Sequence, residues 1–196
     1  MAGLACSIAP TLKPVDTDAV KIGLRIEQDE EDDLLDALIS AATDDAENRL
    51  HRAILPQTWV LTLDSMPAKI ALPWPVARSV TIEYRATGGP AWTSIAADDI
   101  FLSPGPPSLL MPTYGVSWPL PIEHADTVRV TFQAYSWLTA ETVPAGIKQW
   151  IIARIGELYE QREASGPVQL HQHRFIDGLL APWIVPDYAI RNGNGR

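Results

Sequence analysis

Hydrophobic positions follow a helical spacing near both ends of the chain and a two-residue spacing in its middle. Apolar residues recur every three or four positions over about residues 29–52, which predicts a helix there. Asp16 and Thr17 suit the N-cap of a shorter helix that precedes it. Because Pro56 has no backbone N–H group, the long helix is expected to end before it.

The middle of the chain alternates apolar and polar residues as a β-strand does. Trp59, Leu61 and Leu63 fall on one face of a first strand, and residues 80–85 and 128–134 repeat the pattern. One apolar face per strand predicts a small antiparallel sheet or sandwich whose polar face lies in water.

Segments rich in proline and glycine separate these strands. A turn at 87–90 precedes "AWTSI" at 91–95, which is interpreted as the returning strand of a hairpin. The segments 72–76 and 103–121 hold a large share of the 17 prolines and are predicted to be irregular loops.

A second long helix is predicted after Pro144, and the Gly-Pro pair at 166–167 is expected to stop it. The first and last helices are expected to pack together as a helical body into which the β segment is inserted. The predicted helix-core positions are Leu34, Leu38, Ile39, Leu50, Ile147, Trp150, Ile151 and Leu158.

The overall charge argues against a protein that grips nucleic acid. The chain has 196 residues and a net charge of −9. Binding of nucleic-acid phosphates needs clustered Lys and Arg, so this charge argues against such binding. Cys6 is the sole cysteine, which excludes a disulfide framework and a cysteine-based zinc site. No apolar run approaches the ~20 residues of a membrane span, and the N-terminus shows no signal-peptide pattern.

Two segments carry residue types that bind metals, but neither has the spacing of a metal site. The acidic run at 27–36 lacks the glycine of an EF-hand loop at its sixth place, so a solvated helix face is favoured. His171 and His173 have no third ligand at a recognisable spacing and are interpreted as a surface or interface pair. His51 and His124 stand singly near the ends of elements and are interpreted as structural.

The sequence contains no clear equipment for catalysis. It has neither a G-x-S-x-G nucleophile elbow nor a glycine-rich phosphate loop. Carboxylates at strand ends are assigned solvated turn roles, and no catalytic, metal-binding or cofactor-binding residue is assigned. These carboxylates belong to Asp64, Asp98, Asp99 and Asp126.

Tryptophans beside prolines leave two interpretations open. Trp74, Trp118 and Trp183 either stack on a sugar or pack against proline in loops and at an interface. Because many apolar residues fall in irregular loops and in the tail, surfaces completed by partner chains are favoured.

A set of short motifs follows in order through about residues 12–165. They are "KIGLRI" (21–26), "EDDLLDALISAATDDAENRLHRAI" (31–54), "QTWVLTLDSMP" (57–67), "IALPWPVARSVTIEYR" (70–85), "YGVSWP" (114–119), "VRVTFQA" (128–134) and "VPAGIKQWIIARIGELYEQRE" (143–163). Their combination resembles the head–tail connector (adaptor) proteins of tailed phages and of gene transfer agents, in the family with a β insertion between helices.

The resemblance implies an α+β fold. The expected architecture is a helical connector body of about three to four helices with an inserted small antiparallel β domain. The implied boundaries are 12–56 and 136–165 for the helical body, 57–135 for the β insertion and 166–196 for a C-terminal tail.

The resemblance also implies a structural protein that needs no cofactor, not an enzyme. Members of the family form a closed ring, typically of twelve copies, under the portal protein. The ring extends the DNA channel and gives the stopper or another tail-side neck protein its attachment platform. The implied location is the neck of a virion or phage-like particle, assembled in the bacterial cytoplasm without a membrane partner. Double-stranded DNA is expected to pass without tight binding, since the chain is acidic.

Two groups of side chains are expected to face other parts of such a particle. An apolar cluster after the helix stop is predicted to contact the portal, and a chain truncated at Gly166 is expected to fold without it: Phe175, Leu179, Leu180, Trp183 and Ile184. The acidic start of the long helix is predicted to face the channel or solvent: Glu30, Glu31, Asp32 and Asp33. The alternative interpretation is a tail or baseplate accessory module that binds glycan through tryptophan-rich loops.

Overall fold

The structure, a computed structural model, describes residues 3–27, 30–74, 76–86, 89, 91–103, 105–161 and 174–186. Within them the helices are α1 (Thr17–Leu24), α2 (Asp32–Leu50), α3 (Ala145–Gln161) and the one-turn α4 (Arg174–Asp177). The strands are β1 (Gly3–Ile8), β2 (Gln57–Leu63), β3 (Ile70–Leu72), β4 (Ala77–Arg85), β5 (Trp92–Ser94), β6 (Ile100–Leu102), β7 (Ser108–Pro112) and β8 (Val128–Ala134).

The chain forms two compact units. The β unit consists of the N-terminal segment that ends at Pro10, Pro56–Ser136 and the C-terminal segment that begins at Val185. The helical unit consists of Thr11–Leu55 and Trp137–Ile184. The strand β1, for which the sequence predicted no element, belongs to the β unit. The described residues of the predicted tail up to Ile184 belong to the helical unit.

Helices α2 and α3 pack against each other in the helical unit. The buried residues of α2 are spaced by three or four positions, as a helix with 3.6 residues per turn requires. They include Leu35, Ile39, Ala42, Ala46 and Leu50. The buried residues of α3 are Ile147, Trp150, Ile151 and Ile155.

The predicted helix-core positions do not all lie in this core. Those that are buried are Ile39, Leu50, Ile147, Trp150 and Ile151. The prediction for Leu34 is wrong, because its side chain is 36% exposed and Leu35 is buried instead. Successive residues of a helix point about 100° apart, so Leu35 falls on the stripe that contains Ile39. Leu38 packs at the edge of the core, and Leu158 is half-buried on α3.

Local hydrogen bonds fix the ends of the first two helices. The Asp16 carboxylate accepts the Ala19 N–H at 2.7 Å, so α1 begins where the sequence predicts. Helix α2 ends at Leu50, and the C-cap residue His51 has a left-handed φ of 53° and donates its N–H to the Glu47 carbonyl oxygen. The buried Glu47 carboxylate accepts the Ile54 N–H at 2.7 Å and thereby holds the chain as it leaves the helix.

The β unit contains two antiparallel sheets. The larger has the strand order β1-β2-β8-β4-β5, and the smaller has the order β3-β7-β6. Leu61, Val130 and Ile82 stand side by side on a buried face of the larger sheet, as the two-residue alternation predicts. The predicted α+β fold class with an antiparallel β domain is confirmed.

The proline-rich segment 103–121 is more regular than predicted. It contains β7, the central strand of the smaller sheet, in which Leu110 is fully buried between β3 and β6. The returning strand predicted at 91–95 is β5, whose Trp92 pairs with Arg85 of β4.

Candidate interaction surfaces

The C-terminal segment is fastened within the helical unit through a polar contact at Asp177. The Asp177 carboxylate accepts a hydrogen bond from the Arg49 guanidinium at 3.0 Å and another from Trp150 Nε1 at 3.3 Å. The Arg49 guanidinium also lies over the Trp150 ring, 5.2 Å from its centroid. One carboxylate therefore joins α2, α3 and α4.

Apolar packing reinforces this polar contact. Leu180 is 2% exposed and belongs to the core of the helical unit, and Leu179 and Trp183 pack against that core. The rings of Trp137 and Trp183 meet edge to face with their centroids 5.8 Å apart. The segment thus covers the helices of its own chain.

The predicted portal-contact cluster is therefore not a free apolar surface, and the expectation that the chain folds fully without it is revised. Leu180 is buried in the core of its own chain, where removing apolar area from water lowers the free energy of the folded state. Ile184 is 41% exposed, and the side chain of Phe175 lies outside the described residues. A portal contact by this segment stays a prediction, in which Ile184 is an accessible member.

The four acids predicted to face the channel or solvent differ in their surroundings. The exposed ones are Glu30, Asp32 and Asp33. Asp32 nevertheless forms an ion pair with Lys21 of α1. Glu31 is half-buried and accepts a hydrogen bond from the Tyr159 hydroxyl of α3. Half of this acidic group thus anchors the start of α2, and the other two acids leave their charge in solvent.

Asp64 and His124, two of the residues considered for catalysis or metal binding, form local polar contacts. Asp64 accepts the Asp126 N–H at 3.1 Å, and His124 Nδ1 lies 3.0 Å from the carbonyl oxygen of the next residue. His171 and His173 lie outside the described residues. Within the described part of the chain, no three His, Cys, Asp or Glu residues converge as metal ligands would. No described helix has the length and apolar character needed to cross a membrane.

The tryptophans pack against other side chains, and none has a fully exposed ring. Each of the seven is at least partly buried. The rings of Trp59 and Trp74 tilt against each other at a centroid distance of 5.2 Å. The guanidinium groups of Arg85 and Arg129 lie over the Trp92 ring, with their central carbons 4.8 and 4.3 Å from its centroid. Because stacking on a sugar requires an open ring face, this packing does not favour the glycan-binding alternative.

An apolar groove opens along one edge of the β unit. It is bounded by the edge strand β1, its neighbour β2 and the edge strand β3, and has a volume of about 280 Å³. Buried Leu61 and Ile70 line it together with Leu4, which is 41% exposed. Lys69, which immediately precedes β3, supplies a positive charge at this groove.

The opposite edge of the β unit carries exposed aromatic side chains. Phe101 on the edge strand β6 is 47% exposed, and Tyr114, after β7, is fully exposed. The Thr113 hydroxyl donates to the Asp98 carbonyl oxygen at 2.8 Å, and its N–H donates to the Asp99 carbonyl oxygen at 2.9 Å. These bonds hold the loop that carries Tyr114 beside the acidic turn that leads into β6.

Sequence reasoning missed both of these edges. The alternation of Leu4, Cys6 and Ile8 with small or polar residues is the signal from which β1 is predictable. The groove has no comparable signal, since it depends on β1 and β3 lying at the same edge of the unit.

Comparison with a sequence model of a known family gives a match in the first half of the chain. Residues 16–81 match the family described as "Phage gp6-like head-tail connector protein". The matched segment runs from the cap of α1 into β4. No match was found to a curated protein sequence.

Several solved structures share the fold over nearly the whole chain. A chain of the "Virion of native gene transfer agent (GTA) particle" is 18% identical, with a TM-score of 0.75 over 93% of this chain and 95% of that chain. A chain of the "Neck of empty GTA particle computed with C6 symmetry" is also 18% identical, with a TM-score of 0.75 over 94% and 96%. A chain of the "Neck of native GTA particle computed with C12 symmetry" is 19% identical, with a TM-score of 0.67 over 95% and 96%.

The family match and the shared fold agree with the resemblance that the sequence motifs carry. The family model matches the chain from α1 into β4, and the shared fold covers more than nine-tenths of the chain. The resemblance to head–tail connector proteins that the sequence motifs carry is thereby confirmed.

Proposed function

We propose that the protein is a structural connector subunit in the neck of a phage-like particle. Copies of it form a ring under the portal, extend the DNA channel and provide the attachment platform for the stopper or tail. The observation that carries this proposal is the fold shared with a chain of a native GTA particle at a TM-score of 0.75, together with the connector-family match. Similar chains belong to necks computed with C6 and C12 symmetry, which supports a ring, and the C12 symmetry accords with the proposed twelve copies.

A role without catalysis agrees with the positions of the reactive residue types. The Asp64 carboxylate accepts the backbone N–H of Asp126, and the backbone N–H of His51 caps the end of α2. Within the described part of the chain, no three His, Cys, Asp or Glu side chains come together as a metal-dependent reaction centre would require. A purely structural subunit also needs no cofactor.

The C-terminal segment is proposed as the portal contact, with fewer of its side chains available for that contact than the sequence suggested. Leu180 and Trp183 pack within the helical unit, so the contact would be made by the exposed side chains of Ala181, Pro182 and Ile184. Because the segment is already held in place, docking on the portal would require less loss of conformational entropy than docking of a free arm.

We expect the purified protein to bind double-stranded DNA weakly or not at all. Its net charge of −9 and the exposed carboxylates of Glu30 and Asp33 repel phosphates, which suits a channel through which DNA slides. Fluorescence anisotropy of a labelled duplex should show no saturable binding at moderate salt. Repeating the titration with Glu30→Gln and Asp33→Asn separates the local charge from the overall charge. Tight binding that weakens steeply as salt is added would contradict this expectation.

The proposed function predicts a defined assembly defect. Deleting the gene from a strain that makes the particles should leave heads and tails that fail to join, because the platform between them is missing. Electron microscopy of the lysate measures the joined fraction, and a plasmid copy of the gene provides the control. A deletion strain that still produces normal tailed particles would refute the connector role.

A further inference from the structure

We propose that neighbouring copies of this chain contact each other through opposite edges of their β units. The aromatic edge, defined by Phe101, Tyr114 and Asp98, docks into the apolar groove between β1 and β3 of the next copy. This inference rests on the proposed function, because it requires identical copies arranged around a ring. It adds the identity of the two surfaces that meet.

The groove has the size and lining to accept an aromatic side chain. An apolar cavity of about 150 Å³ holds a benzene-sized molecule. The groove of about 280 Å³ therefore has room for the ring of Tyr114 and for part of a second side chain. Leu4 and Pro73 at the groove are exposed, and Leu61 and Ile70 are buried, so an inserted ring would meet apolar atoms.

The aromatic edge is placed where it cannot fill the groove of its own chain. In the smaller sheet β7 separates β3 from β6, and two strand spacings of about 4.8 Å put these edge strands about 10 Å apart. The free sides of β3 and β6 also face in opposite directions. Phe101 and Tyr114 are therefore exposed to water until another copy covers them.

The charges at the two edges are complementary. Lys69 immediately precedes β3, and Asp98 and Asp99 immediately precede β6. Both strands run antiparallel to β7 and thus parallel to each other, so these residues lie at the same end of the sheet. When β6 of one copy lies beside β3 of the next, Asp98 approaches Lys69. Neither of these two side chains has an ion pair within the described part of its own chain.

The arrangement also matches the symmetry that a ring requires. Two different surfaces on opposite sides of one unit make a heterologous contact, which repeats from copy to copy until the ring closes. The contact would in addition cover β1, an edge strand whose six residues are all exposed. Unpaired edge strands of this kind are prone to uncontrolled association, so coverage by a neighbour resolves that hazard.

Cysteine cross-linking tests the contact directly. In the full-length chain with Cys6→Ser, the pair Lys69→Cys and Asp98→Cys should give a ladder of covalent oligomers when concentrated protein is oxidised. The two cysteines of one chain cannot bridge, because about 10 Å exceeds the ~7 Å limit between the Cα atoms of a disulfide. Combining Lys69→Cys with His124→Cys, also at an exposed position, is the matched control and should yield no ladder beyond dimers.

Charge reversal provides an independent readout that keeps the fold intact, since Lys69 and Asp98 are both exposed. Either Lys69→Asp or Asp98→Lys alone should weaken self-association roughly tenfold in sedimentation experiments, and the double exchange should restore it. Tyr114→Asp should remove the ladder from the cross-linking variant.

Three results would overturn the inference: no ladder, an equal ladder in the control, or no rescue by the double exchange. If light scattering shows an oligomer although the Lys69→Cys, Asp98→Cys variant gives no ladder, these surfaces are rejected and the connector role still stands. Joined heads and tails in the deletion strain would instead reject the role itself, so the two failures are distinguishable.

Discussion

A chain truncated at Gly166 should lose most of the stability of its helical unit. The truncation removes Leu180 from the buried core and Asp177 from its bonds with Arg49 and Trp150. Loss of a buried leucine costs roughly 2–5 kcal/mol, and loss of the partly exposed Arg49–Asp177 pair adds about 1 kcal/mol, so the expected total is about 3–6 kcal/mol. Whole domains are stabilised by only about 5–15 kcal/mol, and partial unfolding is therefore expected.

Urea denaturation followed by circular dichroism measures this effect. Leu180→Ala isolates the apolar part and should cost about 2–4 kcal/mol. Ile184→Ala is the matched control on the same segment, and because its side chain is 41% exposed the change should stay within about 1 kcal/mol. If the truncated and full-length chains unfold at the same urea concentration, the segment has no structural role in the helical unit.

The Trp150→Ala substitution should destabilise the protein by about 3–5 kcal/mol. Trp150 is one of the largest fully buried side chains, and it joins α3 to Arg49 and Asp177. Trp150→Phe keeps an aromatic ring in the core and removes the hydrogen bond to Asp177, so a smaller loss of about 1–2 kcal/mol is expected. The difference between the two variants separates packing from hydrogen bonding.

The same unfolding experiment includes a control on the packed face of α2. Leu34→Ala should cost less than about 1 kcal/mol because Leu34 is 36% exposed, whereas Leu35→Ala should cost about 2–5 kcal/mol. Equal losses for the two leucines, or a negligible loss for Trp150→Ala, would show that the core is arranged differently.

The helices and the central strands were predictable because their signals are local. The cap at Asp16, the stop before Pro56 and the alternation in 128–134 each depend on neighbouring residues in the chain. The choice between Leu34 and Leu35 was not settled by the spacing, because Leu34 lies four residues before Leu38 and Leu35 lies four residues before Ile39. It is settled by which side of α2 faces α3.

The interaction surfaces were less predictable, because they depend on contacts between residues distant in sequence. The sequence does not show what the apolar cluster around Leu180 packs against. In the structure it packs in the core that α2 and α3 form. Strand β7 was hidden in a proline-rich segment whose prolines flank the buried Leu110. Lys69 lies at the groove because of the order of the strands, and no local sequence pattern predicts that order.

A high-resolution cryo-electron microscopy reconstruction of the particle neck is the most direct test of the connector role. The expected result is a closed ring of this chain between the portal and the tail, with side-chain density that fits α2, α3 and the β unit. A neck ring built entirely from a different chain, in particles that lack this protein, would contradict the account.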